Sequence, residues 1–434
     1  MNQILLSNLR IMNPFGKPKY LENASILIQD GLIRSVGDLP AGYTGERIDM
    51  AGKTVLPGMI NAHNHLYSTL ALGMPAPKKS PGNFVEILKE IWWKLDLSLD
   101  EASTKASFEA GLLDCLLNGV TTVIDHHASP NYITGALDLL VETAKKFGIT
   151  LGICFEASDR NGESNFKAEL SENIAAMIKY DSDPNVLPLL GLHASFTLSD
   201  ASLQQAAEAL KGLENGGIHI HVAEDLADER DALERGYDSV IQRLDHFGLL
   251  NNRSLIIHGV YITRQDRHTM LKRGCNLIHN PSSNAGNQVG ILETEIIDSM
   301  NAGLGTDGKQ NNMIAEAKEG IHIRAGKGSE PVDYLKLLFK NNSAIVSQLF
   351  GKDIGHINID SQADLVFYDY DPRTEVHAHN FMSHILYGLK APSDVMTRGI
   401  FRMRARELSE IDVETIHQNS RHESMRLWEK MQKL

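Results

Sequence analysis

The chain has 434 residues, 42% of them hydrophobic and 22% charged, with a formal net charge of -13. That length suits one large domain with a smaller companion, and the composition is that of an ordinary globular protein. The acidic balance argues against nucleic acid or an anionic membrane as partner, because both need a basic face.

Three scattered cysteines, Cys115, Cys154 and Cys275, form no CxxC pair. Buried thiols in a reducing compartment are expected rather than disulfides or a cysteine zinc site. The first residues show no basic region ahead of a long apolar core, and no apolar run reaches membrane-spanning length. A cytoplasmic location is the expectation.

Residues 3–55 read as short strands. Ala24–Gln29 and Leu32–Val36 flank Asp30-Gly31, a hairpin signal because glycine tolerates positive φ. No helical period appears before residue 84. From residue 56 strands alternate with amphipathic helices, the strands ending near His65, Asp125, Glu156, His193, Glu224, His258, Asn280 and Asp307. Ser98-Leu-Asp-Glu101 reads as a capping box opening a helix that stops at Gly119, and Thr263 opens one that ends near Gly274. Eight such units predict an α/β fold, a (β/α)8 TIM barrel over residues 56–359. The loop 66–83, with Pro75, Pro77 and Pro81, is expected over its mouth. A helix follows at about 331–350. Strand texture returns at Gln362–Asp369 and 394–406, which predicts a composite β-sandwich module made from residues 1–55 and 360–410. The tail, 411–434, reads as a helix with Leu427 and Trp428 on its apolar side.

The chemistry begins at Leu56-Pro-Gly-Met-Ile-Asn-Ala-His63-Asn-His65. Strand side chains alternate faces, so His63 and His65 point the same way and form half of a divalent metal site. The other half is sought at strand C-terminal ends, where barrel enzymes place their chemistry. Gly217-Ile-His219-Ile-His221-Val-Ala-Glu224 offers His221 and Glu224, with His219 one layer deeper as a hydrogen-bonded core histidine. Ser254-Leu-Ile-Ile-His258 ends in a histidine, and Gly303-Leu-Gly-Thr-Asp307-Gly308 ends in a carboxylate. Each motif alone has a structural explanation. Their joint order on strands one, five, six and eight does not.

These motifs resemble the amidohydrolase superfamily, in the group of guanine deaminases, adenosine-type deaminases and triazine chlorohydrolases. Asn280-Pro-Ser-Ser-Asn284 and Ala363–Asp369 share in the resemblance, which spans essentially the whole chain. More narrowly, Glu156–Gly162 and Asp125-His126-His127 resemble the SsnA group of bacterial aminohydrolases. The resemblance implies that His63, His65, His221 and Asp307 hold one divalent metal ion, zinc first and iron(II) second. It implies catalytic roles for Glu224, His258 and Asp307. Relatives with two metals carry a bridging lysine at the end of strand four. Gly191-Leu-His193-Ala has none, so one metal is expected.

The expected reaction is hydrolytic deamination of an amino-substituted nitrogen heterocycle, purine-like, through a metal-activated water. Ring opening of a cyclic amide is the alternative, and a non-catalytic metal-binding scaffold stands behind both. His193, Glu156 and Arg160 are the substrate-binding candidates. A structural role suits His193 equally, and a salt bridge holding the loop suits the other two. His126 and His127 fit surface or outer-shell positions, and Trp92 and Trp93 fit a core stripe with Leu88 and Leu95. Lys309-Gln-Asn-Asn departs from the Ser-Asn-Asn run of many relatives, which bears on substrate choice. The expected partner is a small heterocycle. A homodimer rests on the resemblance alone.

Overall fold

The computed structural model describes residues 3–38, 42–308 and 310–434. The first strands are β1 (Gln3–Met12), β2 (Tyr20–Gln29), β3 (Leu32–Gly37), β4 (Glu46–Asp49) and β5 (Thr54–Pro57). The hairpin expected at Asp30-Gly31 joins β2 to β3 with Gln29 opposite Leu32. Both turn residues are left-handed, at φ 51° and 79°, as a two-residue turn matched to strand twist requires.

Nine strands alternate with helices across the middle of the chain: β6 (Met59–Asn64), β7 (Val120–Asp125), β8 (Thr150–Ile153), β9 (Val186–Pro188), β10 (Leu190–Ala194), β11 (Ile218–Val222), β12 (Leu255–His258), β13 (Asn276–His279) and β14 (Gly303–Leu304). All pairing among them is parallel, in a ladder β6-β7-β8-β9 and a second ladder β10-β11-β12-β13-β14. Their side chains are buried almost throughout, as parallel strands covered on both faces require. The fourth expected strand is divided at Leu189: β9 pairs with β8 while β10 pairs with β11. A parallel bridge between Ala157 and Leu192 and another between Asn64 and Asp307 join the ends of the two ladders. Asn342 adds to this join. Its amide nitrogen donates to the carbonyls of Ile60 and Leu304, both at 2.8 Å.

Helix ends follow local chemistry. Thr263 caps the helix Arg264–Arg273 through a box with Asp266, and left-handed Gly274 closes it, as expected. The helix Glu101–Leu117 begins differently from expectation. Its cap is Asp100, whose carboxylate accepts from the Ser103 amide at 3.0 Å. Ser98 belongs to the preceding short helix, Trp93–Ser98, and Leu99 is extended. The carboxylate two residues on therefore wins the capping role.

The last strands, β15 (Leu365–Tyr368), β16 (Asp394–Thr397), β17 (Ile400–Arg404) and β18 (Glu407–Leu408), rejoin the beginning. β15 pairs antiparallel with β5, from Leu365 opposite Pro57 to Tyr368 opposite Thr54. One sheet then runs β18-β17-β16-β15-β5-β1-β2-β3, with β4 attached to β1. Its buried face gathers Leu9, Ile26 and Val55 from the start of the chain with Leu365, Phe367 and Met396 from the end. The C-terminal helix, Val413–Met431, packs against Glu101–Leu117 and the turn Leu66–Ala71. Trp428 Nε1 donates to the Leu70 carbonyl at 2.9 Å.

Candidate metal centre and cavity

The ends of β6, β11 and β14 converge. His63, His65, His221 and Asp307 bring one donor atom each to within 4.8 Å of one another. Backbone geometry aims them: Ala223, His258 and Asp307 are left-handed at φ 48°, 69° and 59°. Such non-glycine conformations are uncommon and concentrate at functional sites. Gly305, two residues before Asp307, has no room for a side chain. A Cβ there would lie 2.8 Å from the His63 backbone nitrogen and 2.6 Å from Asn280 Oδ1.

The tautomers can be read from the second nitrogen of each ring. His65 Nδ1 donates to the His126 carbonyl at 2.6 Å, and His221 Nδ1 donates to the His193 carbonyl at 2.9 Å. Both Nε2 atoms are therefore turned inward, 3.2 Å apart. His63 Nδ1 meets His219 Nε2 at 2.9 Å, and His63 Nε2 is buried without a hydrogen-bond partner among the described residues. Two inward lone pairs at that distance need a cation between them. Burial works against a charge on His65, yet Asp307 Oδ1 at 3.0 Å overcomes it and raises the imidazole to about 9. A proton on His65 satisfies His65 and His221 but leaves His63 Nε2 unanswered. A metal ion satisfies all three and the carboxylate together. The donor set fits a divalent metal.

Beside this group, His258 Nε2 lies 3.4 Å from Glu224 Oε2 and 3.9 Å from Asp307 Oδ2. His258 Nδ1 donates to Asn284 Oδ1 at 2.7 Å, which fixes the ring. Burial raises the Glu224 carboxyl above its usual range, against the opposing influence of His258. Asn287 Nδ2 donates to Glu224 Oε1 at 3.2 Å, and the Ser283 hydroxyl donates to Asp307 Oδ2 at 2.5 Å. Nothing in the sequence motif 280–284 marks Ser283 or Asn287 for these contacts.

A cleft with about 770 Å³ of empty space opens onto these groups. Its wall carries the three substrate-binding candidates, and donor atoms of Glu156 and His193 lie within 4.8 Å of one on His221. Arg160 bonds Glu156 Oε1 through Nη2, Asp96 Oδ2 through Nη1 at 3.2 Å, and Ser158 Oγ through Nε at 2.9 Å. The two placements expected of this pair coexist: Glu156 and Arg160 form a salt bridge, and both line the cleft. Burial opposes ionisation of Glu156, but the Arg160 guanidinium and the His126 contact hold it well below its usual range. His193 Nδ1 donates to Thr197 Oγ1 at 2.9 Å, because that hydroxyl already donates to the Ala194 carbonyl. Its Nε2 is then a lone pair toward the cleft, and burial presses the ring down to about 3.

His126 and His127 are both fully buried, so a surface position is excluded. His126 Nε2 donates to the Leu192 and His219 carbonyls, and its Nδ1 stands 3.2 Å from Glu156 Oε2. It links the metal-ligand group to the cleft wall. His127 packs among Tyr67, Phe108 and Phe155. His219 is the deep, hydrogen-bonded histidine expected. Trp92 and Trp93 pack with Phe84 and Leu88 in a small hydrophobic cluster, as the stripe expects, and all four also line the cleft. Asp96, which no sequence motif marks, joins them. Lys309 lies outside the described residues. Gln310 Nε2 contacts Glu316 Oε2 at 3.4 Å.

Residues 54–399 match the Amidohydrolase family. The chain is similar to a 5-methylthioadenosine/S-adenosylhomocysteine deaminase of Thermoanaerobacter pseudethanolicus, at 24% identity over 96% of this chain and 97% of the relative. It is 26% identical to an 8-oxoguanine deaminase of Pseudomonas aeruginosa, over 87% of this chain and 89% of that one. In three dimensions it resembles a zinc-bound adenosine deaminase from Xanthomonas campestris, with TM-score 0.83, 21% identity and 98% of each chain covered. That last likeness shows a shared fold.

Proposed function

Because this chain belongs to the amidohydrolase family, we propose that it is a metal-dependent aminohydrolase that deaminates an amino-substituted nitrogen heterocycle, purine-like in class. The observation that carries this is the convergence of three buried imidazole nitrogens and the Asp307 carboxylate, with Glu224 and His258 beside them. The names of the relatives, deaminases of adenosine-like and oxoguanine substrates, support the class. The parallel pairing of the two ladders supports a closed (β/α)8 barrel over 56–359. The one sheet built from both chain ends supports a composite β-sandwich module from 1–55 and 360–410.

His63, His65, His221 and Asp307 would hold one divalent ion, zinc being our assignment and iron(II) its competitor. When bound, such an ion supplies the Lewis acidity that lets water attack near neutral pH. Asp307 Oδ2, beside the Ser283 hydroxyl, accepts a proton from the attacking water and returns it to the departing amine. Glu224, whose carboxyl burial raises, gives a proton to a ring nitrogen and so makes the neighbouring carbon electrophilic. His258, whose Nδ1 donates to Asn284, turns Nε2 to the attacking oxygen between the Glu224 and Asp307 carboxylates and, as an imidazolium, donates a hydrogen bond to it as charge develops. His193 presents a lone pair to the ring. Glu156 and Arg160 share one hydrogen bond, are held further by His126, Asp96 and Ser158, and shape the wall.

The test is ammonia release from a panel of purines, pterins and pyrimidines by zinc-loaded and iron-loaded protein. Ammonia with the ring chromophore intact is expected. Loss of ring absorbance without ammonia would replace deamination by cyclic amide hydrolysis.

A further inference from the structure

Of the residues lining the cleft, three carry a buried polar side-chain atom with no hydrogen-bond partner among the described residues: His258 Nε2, Trp93 Nε1 and Asp96 Oδ1. A buried polar atom left unpaired is costly, so native proteins pair such atoms with protein, water or ligand. His258 Nε2 already has a role, facing the reacting atoms. The other two sit together elsewhere. Trp93 and Asp96 stand three residues apart on the helix Trp93–Ser98, neighbours on one helical face.

Both are held firmly. Asp96 is 2% exposed, and its other oxygen, Oδ2, takes the Arg160 bond at 3.2 Å. The Arg160 guanidinium lies 5.2 Å from the Trp93 ring centre, a cation–π contact that fixes the indole. Asp96 reaches the metal-ligand group through Arg160, Glu156 and His126, and Trp93 stands 6.3 Å from His193, ring centre to ring centre, with His193 5.8 Å from His221, so the pair lines the cleft one residue out from that group.

We propose that Trp93 and Asp96 form the specificity subsite, reading the substrate edge away from the scissile C–N bond. Trp93 Nε1 donates to an oxo group, and Asp96 Oδ1 accepts from the ring N–H next to it. One chemical unit offers that acceptor and donor side by side: the –NH–C(=O)– of a lactam or cyclic urea. The preferred substrates are therefore oxo-bearing amino-heterocycles. Carboxylated and phosphorylated ones are disfavoured, because Asp96 and Glu156 outnumber the single arginine of this wall. This inference rests on the deaminase reading and assigns its substrate class.

The experiment compares two pairs, guanine with 2-aminopurine and 8-oxoadenine with adenine. Each pair shares its amine and differs in the oxo edge. In at least one pair the oxo member should have kcat/KM higher by roughly tenfold to a hundredfold, the usual result of leaving buried polar groups unpaired. In Asp96→Asn, Arg160 claims the amide oxygen, so the NH2 turns to the cleft and an acceptor becomes a donor. The preference should fall to within about threefold through KM, with bound metal unchanged. Trp93→Phe, which keeps the ring and removes only the donor, should act the same way and covers the case in which Asp96→Asn fails to fold. Equal losses on both members of a pair, or an unchanged preference, would overturn the subsite. If the native protein deaminates none of the four, calorimetric titration decides. A preference for the oxo base that Asp96→Asn abolishes upholds the subsite while the reaction is rejected, and no preference rejects the subsite too.

Discussion

Replacing Glu224 by glutamine removes a proton while keeping the shape of the side chain. The amide oxygen still accepts from Asn287 Nδ2, 3.2 Å from Oε1 in the native protein, and no metal-ligand candidate is altered. Loss of a positioned general acid costs about 10²–10⁴ in rate, or roughly 3–5 kcal/mol of transition-state stabilisation. The expected result is a kcat lower by that factor with one equivalent of metal retained by elemental analysis. Stability changes in the opposite sense. Burial raises the Glu224 carboxyl above its usual range, so the native state resists ionisation that the unfolded chain undergoes. Native stability is then lost as pH rises from the ordinary carboxylate range toward the folded value. The glutamine variant has no such loss, and its Tm should gain on the parent with rising pH. Activity within threefold of the parent would refute the proton-donor role. Metal lost together with activity would show that Glu224 supports the site's structure instead.

Glu169 offers a second pH test. It accepts from the Ser158 amide at 3.0 Å, and burial pushes it up to about 7. Glu169→Gln should match the parent at pH 4 and exceed it by up to about 3 kcal/mol above pH 7 in denaturant titrations, and a gap that shrinks with rising pH would refute this. Gly305→Ala forces a methyl onto the His63 backbone and Asn280. It should cost about 1–3 kcal/mol or more and lower metal content, whereas unaltered thermal melts would deny the close approach. Chelation should lower Tm, with recovery on adding zinc or iron(II), by roughly 4 kcal/mol at a thousandfold excess over Kd. His221→Ala should abolish that response, and a normal response in it would remove His221 from the ligand set.

How much of the molecule is legible in its sequence depends on what a side chain's neighbours along the chain reveal. His63 and His65 declare themselves because strand alternation places them on one side, and the glycines around Thr306-Asp307 mark a crowded strand end. The wall of the cleft is harder to read. A core stripe through Trp92 and Trp93 accounts for their packing but assumes 3.6 residues per turn. Leu88–Trp92 is instead a π-helical segment, whose extra residue per turn rotates the next residues out of that phase. Asp96 then reaches the cleft with no local signal, because its partner Arg160 lies 64 positions away. The division of the fourth strand at Leu189 is likewise hidden, since Val186–Leu192 is one apolar run interrupted only by Pro188 and Gly191. Only the pairing partners distinguish its two parts.

The pairing of β5 with β15 has a consequence during synthesis. Pro57 must wait for Leu365, about 300 residues later, and at 5–20 residues per second that is roughly 15–60 s. Through that interval the Thr54–Pro57 edge has β1 on one side only, and an unpaired edge recruits other strands. The nascent chain is thus exposed at its beginning until its end is made. A ribosome-bound fragment ending before residue 360 should bind chaperones and aggregate, and the addition of residues 360–410 should end both.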